Sequence, residues 1–565
     1  MAGDPGRTVE VMVNRFDTHE VTNQAGELGD HDSFTGNRAL HEALQRHGGS
    51  EATAELASLG ERAGSLRARE WARLANENRP ELRTHDRFGH RLDVVEYHPA
   101  YHQLMELSIG AGSAASAWFD RRDAAHVIRA AKFLVTYGVE SGHSCPVSMT
   151  NAVVPALRHQ PDVAAELEPL LASGAYDPSN RVLTDKAGIT AGMAMTEKQG
   201  GSDVRANTTV ATPIGGSGGP GGEYELVGHK WFCSAPMSDG FLVLAQAPGG
   251  LSCFWMPRWL PDGTRNPIRI QRLKDKLGDR SNASSEIELA GAWARMVGEE
   301  GRGVRTIIEM VNSTRLDCSL GSASVMRRGV EQATWHTHNR SAFGAVLDEQ
   351  PLMANVLADL CVESEAATAL AMRLAATFDA ADTDPREELL QRLLTPVAKY
   401  WTCKRAPVHA AESLECLGGM GYVEESDMPR VFRQSPLNGV WEGSGNVICL
   451  DVLRAMQRSP ESVMVFLDEV ERAAGTDARL DAATARLRKE LDDGDSIESR
   501  ARGVVEQMAL VMQGTLLVQH APHEVADAFC ATRLREGGPG VFGTLPPDPS
   551  GFRAIVDRHR PVPSA

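Results

Sequence analysis

Glu442 stands in the run Gly439-Val440-Trp441-Glu442-Gly443-Ser444-Gly445-Asn446, an aromatic-to-glycine turn that opens a helical pattern. A carboxylate between an indole and a glycine can be partly desolvated, which tunes it toward general-base work near neutral pH. The same residue could instead support the helix N-terminus, where negative charge is favoured. A second run, Met193-Ala194-Met195-Thr196-Glu197-Lys198-Gln199-Gly200-Gly201-Ser202-Asp203, is a Gly-rich turn with a small polar residue on each side. Such a turn lets backbone approach a flat polar ligand and leaves N–H groups accessible to anions. Alone, Gly-Gly-Ser is also an ordinary turn.

Two more groups could bind phosphate. Arg340-Ser341-Ala342-Phe343-Gly344, followed by Gln350, offers a guanidinium with a planar fork of donors. Glu415-Cys416-Leu417-Gly418-Gly419-Met420-Gly421-Tyr422 offers a Gly turn. A helical pattern and not a strand precedes that turn, so it is no dinucleotide fingerprint. In isolation the first reads as a helix end and the second as a C-cap. His336 and His338 are two apart on a helix and face different directions, so no metal pair is expected. Met193, Met195 and Met420 read as core filler, and Arg327-Arg328 as a solvated helix face.

Composition bounds the classes. A chain of 565 residues with 42% apolar content holds a real core and roughly three or four domains. It has no apolar run of about 18 residues, the length of a membrane span. Asp4, Arg7 and Glu10, with no apolar segment beside them, argue against a signal peptide. Nine scattered cysteines, never as C-x-x-C, suit free thiols in a reducing cytoplasm. A formal charge of −17 weighs against nucleic acid as the main partner, while leaving room for a local basic patch.

The elements that must carry these residues fall into blocks. Residues 1–48 are polar with no sustained period and read as an extended arm, of the kind that packs on a neighbouring subunit. Residues 49–187 are helical, with Ala, Leu and Arg at three- and four-residue spacing. Residues 188–300 carry strand-like runs, among them Tyr224–Val227, Gly240–Ala245 and Ser285–Leu289. The Gly-rich run from Gly215 to Gly222 reads as a flexible loop between strands. Helical periods return in 301–458. Residues 459–565 add amphipathic helical segments and a Pro/Gly-rich tail, with 12 Lys and Arg against 17 Asp and Glu. Helices, sheet, helices is an α+β layout with segregated layers.

These motifs, in this order, resemble those of the acyl-CoA dehydrogenase superfamily. The wording of Glu197-Lys198-Gln199-Gly200-Gly201-Ser202-Asp203 and Lys274-Asp275-Lys276-Leu277-Gly278 is most similar to its AidB branch, the alkylation-response flavoproteins. The resemblance runs from roughly residue 90 to 457. It implies the acyl-CoA dehydrogenase fold: an N-terminal helical domain, a central β-barrel or sheet, a C-terminal helical bundle, and here an extra C-terminal helical extension. It implies FAD, held by Met195, Thr196, Gly201, Ser202, Phe232, Ser234, Arg340, Phe343, Gln350, Gly418, Gly419, Gly421, Ser444 and Asn446. The family's usual aromatic at Phe232 is Trp, so this chain departs there. Glu442 would abstract the alpha proton of an acyl thioester while hydride passes from the beta carbon to flavin N5. Related subfamilies place the base at a position aligned with Thr314, which cannot serve. FAD sites shared across a boundary imply a homo-oligomer, most often a tetramer.

Two other readings stay open. In one, a stress-response flavoprotein binds DNA through the extension, which its net charge of −5 disfavours. In the other, the fold and flavin act on a non-thioester substrate, such as an amine or nitro compound.

Overall fold

The strand-like runs between Gly188 and Val297 fold into a sheet that closes on itself. Its strands are β3 (Ala191–Ala194), β4 (Val210–Pro213), β5 (Glu223–Ser234), β6 (Gly240–Ala247), β7 (Gly250–Pro257), β8 (Ile268–Leu273) and β9 (Ser284–Val297). A two-stranded hairpin, β1 (Glu81–His85) with β2 (Arg91–Glu96), precedes them. The order is β3-β6-β4-β5-β9-β7, and β7 also pairs with β6. That last pairing turns β6, β4, β5, β9 and β7 into a closed barrel, which removes their free edges. In this computed structural model residues 18–216, 218–538 and 540–564 are described. The reading of Asp4, Arg7 and Glu10 lies outside them, as does residue 217 of the Gly-rich run.

Burial explains the sequence patterns. β5 alternates, with Tyr224 and Leu226 inside and Glu223 and Glu225 outside. β6 is buried on both faces and so reads as a continuous apolar run. Phe241, Val243 and Ala245 fill the barrel. Leu242 and Leu244 pack on the other side with Ala152, Val153 and Leu157 of a helix.

The N-terminal helices are α1 (Arg38–Arg46), α2 (Thr53–Ala63), α3 (Leu66–Glu77), α4 (Pro99–Gly110), α5 (Ala125–Val139), α6 (Ser144–Leu157) and α7 (Pro161–Leu171). The bundle is α8 (Gly303–His338), α9 (Pro351–Ala380), α10 (Pro385–Glu415), α11 (Met428–Gln434) and α12 (Gly445–Arg458). The extension holds α13 (Pro460–Glu471), α14 (Ala478–Asp492), α15 (Ile497–His520), α16 (His523–Arg533) and α17 (Pro549–His559). None of these helices is long and apolar enough to cross a membrane. The nine cysteines are all free and buried.

Four expectations change. The arm contains α1, whose start is capped by the Asn37 side chain accepting from Leu40 N–H. Ahead of it, Trp335 Nε1 and the Arg69 guanidinium donate to carbonyls of Gly26, Leu28 and Gly29, so the arm lies on its own chain. The block 49–187 includes the β1–β2 hairpin, which leans on β8: Ile270 N–H donates to Asp93 at 2.9 Å. Arg327 and Arg328 are buried, not solvated, and pair with Glu331, with Arg328 also binding Asp427. An arginine pair with a glutamate one turn on reads as a solvated helix face in sequence; the burial comes from remote elements such as the turn at Asp427.

Candidate active site

Glu442 follows α11 and opens α12. Its backbone is left-handed (φ 56°), as is that of Gly443 (φ 102°). A non-glycine residue there is strained by about 1–3 kcal/mol and persists only when its surroundings hold it. Three consecutive carbonyls are held. Lys399 Nζ of α10 donates to Trp441 O at 3.0 Å and to Gly443 O. Arg315 Nε of α8 donates to Glu442 O at 3.1 Å, while its Nη1 pairs with Asp451 at 2.6 Å. Trp441 Nε1 donates to Asn438 Oδ1, and Asn438 Nδ2 in turn to Tyr137 Oη at 3.0 Å.

The carboxylate is half-buried, and Thr314 Oγ1 donates to its Oε2 at 2.8 Å. A side chain of the long helix α8 and the turn residue therefore meet at one point. Burial raises the pKa of Glu442, and the Thr314 hydrogen bond with the nearby Arg315 and Lys399 cations oppose that rise. The net effect is a carboxyl shifted upward from its ordinary value.

The second motif hangs from β3. Glu197 is fully buried and accepts from six donors. Its Oε1 takes Thr209 N, Thr209 Oγ1 and Lys230 Nζ. Its Oε2 takes Thr208 N, Thr208 Oγ1 and Gln199 Nε2. Burial alone would raise its pKa, but these donors hold it well below the usual carboxylate range. Trp231 N–H binds Thr196 O at 2.8 Å, tying the turn to β5. Asn207 Nδ2 binds Met195 O at 2.9 Å. A Cβ on Gly201 would meet Thr196 Oγ1 at 2.5 Å, so glycine lets the turn fold over that hydroxyl. Ser202 is exposed, and Phe232 stands 49% exposed on β5. Ser234 Oγ lies 3.0 Å from Ser284 Oγ.

The third motif is a tight hairpin, Ser341–Ala342 against Ala345–Val346. Phe343 (φ 54°) and Gly344 (φ 83°) form its tip, the two positive values that a type I′ turn demands. Phe343 is wholly exposed. Asn23 of the arm braces the hairpin by exchanging two 2.8 Å hydrogen bonds with the Ser341 backbone. Arg340 Nη1 donates to Asn23 O at 2.8 Å. Gln350 Nε2 donates to Ala342 O.

The fourth is the 3-10 turn Gly418–Gly421, with Gly418 left-handed and Gly419 in open space. Gly421 packs against Leu414 O where no side chain fits. Met420 and Tyr422 are exposed, so Met420 is not the core filler expected; Met193 and Met195 do pack on a core, half-buried. Ser444 is exposed, and Asn446 Oδ1 accepts from Arg502 of α15 at 2.9 Å.

Among the described residues no hydrogen bond joins Arg340, Phe343, Gln350 or Gly418–Gly421 to Thr196–Ser202 or Glu442. In one chain they are separate surfaces. Each carries an uncovered apolar tip: Phe232, Phe343, Tyr422. A flat aromatic ring fits the Thr196–Phe232 surface, and the open glycines at 200, 418 and 419 admit a diphosphate to the backbone, so these residues fit FAD. Sequence reasoning gave no role to Glu197, Lys230, Asn23, Arg315 or Lys399. Glu197 sits inside a quoted motif and Lys230 two residues before Phe232, but only burial reveals that they pair.

Family models match most of the chain. Residues 23–178 match the adaptive response protein AidB N-terminal domain, 192–292 the acyl-CoA dehydrogenase middle domain, and 301–457 the acyl-CoA dehydrogenase C-terminal domain. AidB of Escherichia coli (strain K12) is 43% identical over 93% of this chain and 96% of its own. Acyl-CoA dehydrogenase family member 11 of Caenorhabditis elegans is 31% identical, over 86% of this chain and 82% of that protein. The crystal structure of Caenorhabditis elegans ACDH-11 in complex with C11-CoA superposes with a TM-score of 0.82 at 27% identity. It covers 96% of this chain and 93% of that one.

Proposed function

The chain belongs to the acyl-CoA dehydrogenase family, in its AidB branch, and within it we propose that Glu442 is the base that removes the alpha proton of an acyl thioester. The protein is an FAD-dependent oxidoreductase acting on a CH–CH bond. Bound FAD supplies the two-electron acceptor for that oxidation. Thr196 and Ser202 would hold it from the β domain, with Phe232 against its ring and Ser234 at the edge. Arg340, Gln350 and the Gly418–Gly421 turn would reach it from another subunit, most simply in a homotetramer. A cytoplasmic location suits nine free thiols.

The single observation that carries the reading is the Glu442 carboxyl, desolvated, strained into place and touched by Thr314. Thr314 can donate to the carboxylate, and after proton uptake can accept from it while donating to Val311 O at 3.0 Å. It thus serves both states of the base. The Caenorhabditis elegans relative bound C11-CoA, which makes acyl-CoAs the first class to test. The rival reading, DNA binding through the extension, is disfavoured by its charge of −5 and by its helices, which share one core with the bundle.

The test is anaerobic stopped-flow at the flavin band with an acyl-CoA panel. Glu442→Gln should keep FAD and slow flavin reduction by about 10²–10⁴-fold, the usual worth of a positioned base. A Glu442→Gln protein that reduces its flavin at the wild-type rate would sink the assignment.

A further inference from the structure

We propose that Lys399 is a positioning residue for Glu442: with Arg315 it clamps the three successive carbonyls of the Trp441–Gly443 turn and thereby sets where the carboxylate stands. The inference rests on Glu442 being the base. Lys399 lies within α10 and is 1% exposed. Lysines are almost never that buried without a carboxylate partner. Among the described residues no ion pair involves it; its acceptors are Trp441 O and Gly443 O, on either side of Glu442. Arg315 differs, because it has a carboxylate partner, Asp451. Lys399 therefore brings a positive charge with no ion-pair contact of its own to a turn whose central residue is a strained glutamate.

The clamp has a steric consequence and an electrostatic one. With the carbonyls of 441, 442 and 443 all drawn toward α8 and α10, the Glu442 backbone stays left-handed and its side chain falls beside Thr314. The cation also stabilises the ionised base against the burial that raises its pKa. The other groups facing the carboxyl are Arg315 and Cys318 of α8 and Cys145 of α6. Asp451 of α12 and Arg392 of α10 stand behind Arg315. Burial pushes the Cys145 thiol up to about 12 and the Cys318 thiol well above its usual value, so both are neutral at working pH.

The test titrates Glu442 directly, by infrared difference spectroscopy of the FAD-loaded full chain. The carboxyl band missing from Glu442→Gln identifies the residue, whatever the substrate. Lys399→Gln, which keeps a donor and loses the charge, should move the Glu442 midpoint up by about one pH unit. Lys399→Met repeats the measurement without a donor should the Gln protein not fold. Lys399→Arg, which keeps the charge, should return the midpoint toward wild type. Where C11-CoA reduces the flavin, the acid limb of the rate profile should shift with the midpoint, at unchanged FAD content. A neutral variant that melts earlier yet titrates Glu442 at the wild-type midpoint overturns the proposal and makes Lys399 a fold brace. Failure of the base assignment looks different: Glu442→Gln then reduces normally while the infrared shift persists.

Discussion

Replacing Glu197 with Gln keeps the side chain's volume and removes its charge. In the native turn each carboxylate oxygen takes three donors, Thr209 N, Thr209 Oγ1 and Lys230 Nζ on one, Thr208 N, Thr208 Oγ1 and Gln199 Nε2 on the other. Whichever way the amide is turned, its NH2 faces three donors. One hydroxyl on that side can rotate to accept, which leaves two donors unmatched, each at about 1–3 kcal/mol. Lys230, 1% exposed, also loses its counter-charge, though Leu244 O still accepts from it at 2.7 Å. Removing one partner of a buried pair costs about 3–5 kcal/mol, and the whole change should fall in that range.

That loss is local to the turn carrying Thr196 and Ser202, so FAD affinity should drop by up to about two to three and a half decades, at a decade per 1.4 kcal/mol. The assay is titration of apoprotein with FAD, followed by flavin fluorescence, alongside hydrogen exchange at the Thr208 and Thr209 amides. Unchanged affinity with both amides still protected would refute the role given to Glu197. The pH sign is also fixed. A carboxylate whose folded pKa is depressed contributes stability that is fully present above its unfolded value and lost as pH falls through the folded one. Glu197 should therefore hold the turn unchanged from neutral pH down to about pH 5, and any flavin lost in that window has another cause.

Arg340→Ala should weaken FAD retention and subunit association together, since the proposed site is shared; full flavin occupancy at unchanged size by light scattering would contradict the sharing. Arg533→Met should destabilise the bundle by about 3 kcal/mol, because it leaves buried Asp359 without an ion-pair partner and buried Glu363 with Arg405 alone. A wild-type thermal melt for that variant would show the extension to be energetically separate from the bundle.

The strands were legible in the alternation of β5 and β9 and the short apolar run of β6, because strand patterns follow from which faces are covered. Closure through β6–β7 was not, since pairing between strands leaves no local mark. The helix α1 escaped notice because it is only nine residues long inside a polar stretch, although its buried Ala39, Leu40, Ala43 and Leu44 keep a helical spacing. Motif order alone named Glu442, Thr196 and Arg340, and with them the flavin and the family, because those residues lie in short contiguous runs whose chemistry is local. What tertiary structure decided is everything that holds them. Lys399 precedes Glu442 by 43 residues in the chain, Glu363 precedes Arg533 by 170, and Asn23 reaches Ser341 across 318. Whether a buried charge finds its partner depends on which remote helices share a core, and no spacing in the sequence records that.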